Sequence, residues 1–227
     1  MIPKLFHYIW VGDRPLPDKA RRFIEDAKRL HPDFEFRLWT EKELSLDSAF
    51  VQTAYRDKAW AFVSDYCRFK ILHEQGGIYL DTDMELLKSF APLLDNKGFA
   101  GLNRQQDAIY CGVIGAIPGH KLMQAVVAAY DALGRERPTS PQMLTQVFKA
   151  VQPADFTIYP HPYFYPVEEG KKLSPQLLAQ AYAIHHWDES WRRFVPLRRF
   201  LRRIGVIPLY HWTKRKKANI VISAKAK

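Results

Sequence analysis

Between Phe62 and Asp83 the chain changes period abruptly, and this passage constrains the fold more than any other. Phe62, Tyr66, Phe69 and Leu72 or His73 recur at helical spacing. Gly76-Gly77 then ends the helix, which predicts a left-handed cap. Directly behind it Ile78-Tyr79-Leu80 reads as a short apolar strand, and that strand runs into Asp81-Thr82-Asp83. A helix feeding a buried strand through two glycines belongs to a layered α/β protein.

The opening of the chain agrees. Ile2 to Val11 is aromatic and β-branched and is closed by Gly12, Asp13 and Pro15, as expected of a buried first strand. Ala20, Phe23, Ile24, Ala27 and Leu30 then form one helical stripe between Pro17 and His31-Pro32. Phe34 to Trp39 alternates with period two, which completes a strand–helix–strand unit. Further strands are predicted at Phe99 to Leu102, Tyr110 to Ile117 and Ala181 to Trp187, and helices at Gly119 to Leu133 and Pro141 to Val151. Tyr159 to Pro166 holds three prolines and is read as non-helical. The expected fold class is α/β, a Rossmann-like mixed sheet flanked by helices.

With 227 residues, 47% of them hydrophobic, the chain can bury a core, and no run approaches the ~20 apolar residues of a membrane span. The N-terminus does not read as a signal peptide, so residence in the cytoplasm is expected. Cys67 and Cys111 sit far apart in apolar segments and read as buried thiols. The net charge of +10 is concentrated at one end. Residues 192–227 hold 12 Lys or Arg and no acid, which leaves 22 basic against 24 acidic residues before them. Two parts are therefore expected, a domain over 1–191 and a basic tail over 192–227. In the tail, Phe194, Leu197, Phe200, Leu201, Ile204 and Ile207 line one side of an amphipathic helix. Such a helix suits an anionic membrane surface, which predicts peripheral attachment to the inner face of the plasma membrane. Packing on the domain is the alternative.

Asp81 and Asp83 carry the chemistry. On a strand they share one face, with Thr82 turned away, so both carboxylates can hold one ion. Hard oxygens select Mg²⁺ or Mn²⁺, and such ions are commonly held by one or two carboxylates plus substrate phosphates. A diphosphate-bearing substrate follows. A turn in which the aspartates serve only the backbone is the bland alternative.

The block Ala61-Phe62-Val63-Ser64-Asp65-Tyr66-Cys67-Arg68-Phe69-Lys70-Ile71-Leu72, followed by Gly76 to Asp83, resembles the DXD-containing sugar-binding region of family 32 glycosyltransferases. This group includes capsular-polysaccharide enzymes and initiating mannosyltransferases, and is related to glucosylating bacterial toxins. Ile2 to Gly12 is similar to the family's first strand, and Ala183 to Trp191 to its closing motif. The resemblance implies a GT-A-type nucleotide-sugar fold. It also implies sugar transfer with retention from a nucleoside diphosphate donor, a uridine diphosphate sugar first, to a glycan or lipid-linked glycan, as in bacterial surface polysaccharide synthesis. By this likeness Asp81 and Asp83 hold the metal with His185 or His186, of which strand alternation allows only one. Asp65 and Arg68, three apart on a helix, are implied as catalytic groups that contact the donor sugar and phosphate. Trp10 is assigned to the nucleotide base or its pocket, with a structural place in the core strand as the alternative. Ser190 and Trp191 match the terminal Ser-Trp over the donor. Asn103, Gln105 and Asp107 read as a solvated loop. Where the family often has Gly-Pro near position 140, this chain has Ser140-Pro141.

Two rival readings remain at this level. A non-catalytic protein could bind nucleic acid or another anionic surface through the tail, although the leading reading includes no nucleic-acid partner. A phosphohydrolase would use the same carboxylates but needs more of them for a second ion, and none is clustered in the sequence.

Overall fold

Residues 1–134, 136–167 and 174–188 are described by a computed structural model. Ser190, Trp191 and the basic segment 192–227 lie outside them. In chain order the elements are β1 (Leu5–Ile9), α1 (Asp18–Leu30), β2 (Glu35–Trp39), α2 (Ala49–Arg56), α3 (Trp60–Gln75), β3 (Gly77–Leu80), β4 (Met84–Leu86), β5 (Gly98–Leu102), β6 (Ile109–Ala116), α4 (Lys121–Asp131), α5 (Ser140–Val151), β7 (Phe156–Tyr159), α6 (Pro175–Gln180) and β8 (Ala183–His185).

Six strands form one mixed sheet in the order β2-β1-β3-β6-β5-β7. β1 pairs parallel with β2 and β3, β6 runs antiparallel to β3 and β5, and β7 lies parallel to β5. β4 and β8 make a separate antiparallel pair. The α/β reading therefore holds. β4 and β7 were not expected as strands, because three or four residues are too few for a period to emerge. Among the described residues no helix is long and apolar enough to cross a membrane.

Alternation along β3 divides the core. Ile78 and Leu80 join Phe6, Tyr8, Phe90, Phe99 and Phe164 on one side. Tyr79 joins Val63, Tyr66, Phe69, Leu72 and Tyr130, largely from α3 and α4, on the other. Both cysteines are free and buried, as their apolar surroundings predict.

The Gly76-Gly77 junction differs from a left-handed cap. Gly76 has φ 65 and ψ −159, an extended mirror-image conformation open in practice to glycine alone, and Gly77 has φ 94. The reason is crowding. A Cβ on Gly77 would lie 2.6 Å from the Leu5 carbonyl oxygen and 2.9 Å from His7 Nε2. The chain thus drops from helix to strand against the backbone of β1, and that drop aims the end of β3.

His7 fixes the same corner. One ring nitrogen, Nε2, lies 2.8 Å from the Gly76 carbonyl oxygen and donates to it, while Nδ1 accepts from the Trp39 indole at 3.1 Å. Both nitrogens are filled by the neutral ring. Burial pushes its pKa down to about 4, against the Gly76 bond that raises it. The unfolded chain takes up this proton near pH 6.5 and the folded chain only near 4, so stability is lost as pH falls through that window. Urea unfolding is expected to lose about 3 kcal/mol through His7 between pH 7 and pH 4, and His7→Gln is expected to flatten that part of the slope. An equal slope in the variant would show that His7 is not held neutral.

Candidate active site

The two aspartates do not sit on a strand. β3 ends at Leu80, and Asp81-Thr82-Asp83 form a turn closed by the Met84 N–H donating to the Asp81 carbonyl oxygen at 3.1 Å. The expectation of strand alternation is corrected here. The paired register with β6 ends at Leu80 opposite Val113, the Asp81 N–H makes one last bond to the Gly112 carbonyl at 2.9 Å, and β4 then pairs with β8 instead. The carboxylates still meet.

β8 supplies the third group. Its register sets Met84 opposite His185 and Glu85 opposite Ile184. His185 Nε2 lies 3.1 Å from Asp83 Oδ1 and 4.0 Å from Asp81 Oδ2. One ligand atom from each of these three residues falls within 4.8 Å of the others. The neighbouring His186 faces Glu85, at 2.7 Å, and packs on the Phe23 ring, so it stands outside the cluster. Asp83 is wrapped further by backbone donors. His186 N–H reaches its carbonyl oxygen at 3.1 Å, and Asp188 N–H reaches Oδ2 at 2.9 Å. Burial opposes its charge, but the His185 contact and the Asp188 N–H hold the Asp83 carboxyl below the usual range.

The donor set fits a hard divalent ion. Ligands about 2.1 Å from an octahedral ion stand about 3 Å apart along each edge, close to the His185–Asp83 separation. Space is kept on the other side by Gly112, whose added Cβ would stand 3.1 Å from Asp81 Oδ2 and 3.4 Å from Met84 Sδ.

Beneath Asp81 lies a buried ion network. Arg68 and Asp65 on α3 are 5% and 8% exposed. A guanidinium has five N–H donors. Five oxygens meet them within 3.2 Å: the Ser64 carbonyl at Nε, the Cys111 carbonyl and Asp81 Oδ1 at Nη1, and Ser64 Oγ with Asp65 Oδ1 at Nη2. Asp65 is engaged as fully. It accepts from Ser140 Oγ at 2.6 Å and from the Ser140 N–H at 3.1 Å, in the first turn of α5 where the helix dipole favours an anion. Burial pushes the Asp65 carboxyl above the usual carboxylate range, while Arg68 and the Ser140 donors oppose this. Tyr79, two residues before Asp81 on the same side, donates to Asp81 Oδ1 at 2.8 Å and places its ring 4.5 Å under the Arg68 guanidinium.

The other sequence candidates divide. Trp10 follows β1 half-buried, and its indole N–H donates to the Arg14 carbonyl at 2.7 Å. Asn103 is buried and ties the β5–β6 loop through Asp107 and Ala108, whereas Gln105 is exposed. Ser64, Tyr79, Gly112 and Ser140 were not singled out from sequence as parts of the site. For Tyr79 a signal existed in its two-residue spacing from Asp81. For Ser140 none did, since its partner lies 75 positions away.

Residues 17–100 match the family described as the glycosyltransferase sugar-binding region containing a DXD motif. An uncharacterized glycosyltransferase of Acanthamoeba polyphaga mimivirus is 24% identical, with 84% of each chain covered. Inositol phosphoceramide mannosyltransferase 3 of Schizosaccharomyces pombe is 30% identical over 56% of this chain but only 36% of its own length, so this chain spans about a third of that relative. Among solved structures, the PaToxG glycosyltransferase has a TM-score of 0.54 at 20% identity, over 66% of this chain and 69% of its own. A glycosyltransferase involved in glycosylation of the major capsid of PBCV-1 has a TM-score of 0.50 at 13% identity, over 81% and 94%. At these identities the likeness is one of fold.

Removing Arg68 alone would leave Asp65 buried without its cation. Arg68→Met is expected to cost about 3–5 kcal/mol in urea unfolding, and Asp65→Leu added to it is expected to restore more than half. A loss below about 1 kcal/mol in the single variant would contradict the network.

Proposed function

We propose that this chain, which belongs to the glycosyltransferases with a DXD-containing sugar-binding region, is a metal-dependent enzyme that moves a sugar from a nucleoside diphosphate donor with retention at the anomeric carbon. The observation that carries this reading is the convergence of Asp81, Asp83 and His185 within 4.8 Å at the end of the central strand β3. Strand ends of α/β sheets are where ligands collect.

Asp81, Asp83 and His185 would hold Mn²⁺ or Mg²⁺, whose charge stabilises the departing diphosphate. The residues of the chain then have distinct tasks. Asp83 is fixed by the Asp188 N–H and by His185, so its carboxylate is oriented before the donor arrives. Asp81 is divided in its duties. Oδ1 is taken by Tyr79 and Arg68, which leaves Oδ2 on the side of His185. Arg68 donates to the Ser64 and Cys111 carbonyls and to Ser64 Oγ and pairs by charge with Asp65 and Asp81, and Asp65 has both oxygens engaged. They hold Asp81 in place, alongside the donor contact that the family resemblance assigns to them. Trp10, Ser190 and Trp191 are assigned to the donor site by the family resemblance.

The acceptor is a glycan or lipid-linked glycan. The mannosyltransferases among the relatives, which their names link to inositol phosphoceramide, support a lipid-borne acceptor. The basic segment 192–227 is proposed as a separate part that keeps the enzyme on the inner face of the membrane, in surface polysaccharide assembly.

Thermal shift tests the shared site. Mn²⁺ and uridine diphosphate together are expected to raise the melting temperature by several degrees more than the two separate shifts combined. Simple additivity would mean that ion and nucleotide do not meet. Asp83→Asn is expected to lower donor turnover at least 100-fold while moving the melting temperature by only a few degrees, and full turnover in that variant would remove the metal mechanism.

A further inference from the structure

A histidine that binds a metal through one ring nitrogen normally donates its other N–H to a carboxylate or carbonyl, which fixes the ring. His185 lacks this support among the described residues. Its Nε2 points to Asp83, but its Nδ1 is buried and has no hydrogen-bond partner there. Something else must orient the imidazole.

Aromatic rings surround it instead. Trp187 packs on the imidazole with centroids 3.9 Å apart and planes at 41°, and Tyr165 meets it edge-on at 6.0 Å. Tyr110 closes the circuit, 5.5 Å from Trp187 and 5.1 Å from Tyr165. Tyr165 is itself fixed, since its hydroxyl accepts from the Val113 N–H at 3.0 Å. The ring system therefore ties the end of β8 to β6, beside the glycine that leaves room for Asp81.

Trp187 also bends the chain. Its φ is 53, a conformation a bulky side chain seldom adopts. The β4–β8 register already sets His185 and His186 beside Asp83, and past the bend the Asp188 N–H reaches Asp83 Oδ2. A residue that needed only to make this bend would be glycine. Trp at the position indicates that the side chain is the reason.

We propose that Trp187 is a positioning residue for His185, and that the Trp187–Tyr110–Tyr165 ring system does by packing what a hydrogen bond to Nδ1 does in other metal-binding histidines. The inference rests on the reading of Asp81, Asp83 and His185 as an ion site. It assigns Trp187 no contact with the sugar donor.

The test is titration of the full chain with Mn²⁺ alone, with free ion followed by electron paramagnetic resonance, alongside thermal unfolding. Trp187→Phe keeps an aromatic face and is expected to bind Mn²⁺ within about threefold of the unaltered chain. Trp187→Leu and Trp187→Gly are expected to bind 10- to 100-fold more weakly. Glycine accepts the bend without strain, so Trp187→Gly keeps the test valid if the leucine variant fails to fold. A merely structural role for the tryptophan would lower the melting temperature and leave ion affinity alone. Leucine and glycine variants that bind as tightly as the unaltered chain would overturn the inference while leaving the ion site standing. If the unaltered chain itself binds no Mn²⁺, the ion site fails and this inference falls with it.

Discussion

The Arg68 guanidinium is the point on which the site is built. It lies almost wholly buried between Asp65 and Asp81, with Tyr79 beneath it and backbone carbonyls from Ser64 and Cys111 completing its donors. A buried cation is costly unless it is paired and hydrogen-bonded, and here two carboxylates and three further oxygens surround it. Its neighbours are thereby fixed too. α3 supplies the cation, β3 the tyrosine, the turn after β3 the aspartate, β6 a carbonyl, and the first turn of α5 holds Asp65 in register through Ser140. The same set of bonds that satisfies Arg68 decides which oxygen of Asp81 remains for an ion.

Glycine does the complementary work. Gly76 and Gly77 allow α3 to drop straight into β3 against the Leu5 backbone, and Gly112 leaves space beside Asp81 Oδ2. A side chain at any of these points would displace either the strand that leads into the aspartates or the carboxylate itself. Rigidity below and clearance above are both needed for an ion to meet Asp81 and Asp83 without rearrangement.

Much of this was legible in the sequence. The helix from Trp60 to Gln75, the short strand behind it and the acidic pair at its end follow from periodicity and from two glycines. The alternation of His185 and His186 correctly implied that one ring alone would reach the acidic cluster. Which ring it is depends on the pairing of β4 with β8, a contact across about 100 positions that no local pattern encodes. The aspartates were expected on a strand and occur in a turn, because a strand ends where its neighbour stops pairing rather than where its residues change. Asp65 and Arg68 lie on the helix that periodicity predicts, but their engagement by Ser140 and Cys111 is a tertiary fact. Trp187, Tyr110 and Tyr165 look like ordinary core aromatics until their rings are placed around one imidazole.

The proposed site places a divalent ion among Asp81, Asp83 and His185 and not elsewhere. Anomalous scattering from crystals soaked in Mn²⁺ and uridine diphosphate measures this directly. One strong manganese peak is expected about 2.1 Å from a carboxylate oxygen of each aspartate and from His185 Nε2. A peak held by His186 and Glu85, or an empty DXD turn with the nucleotide bound, would contradict it.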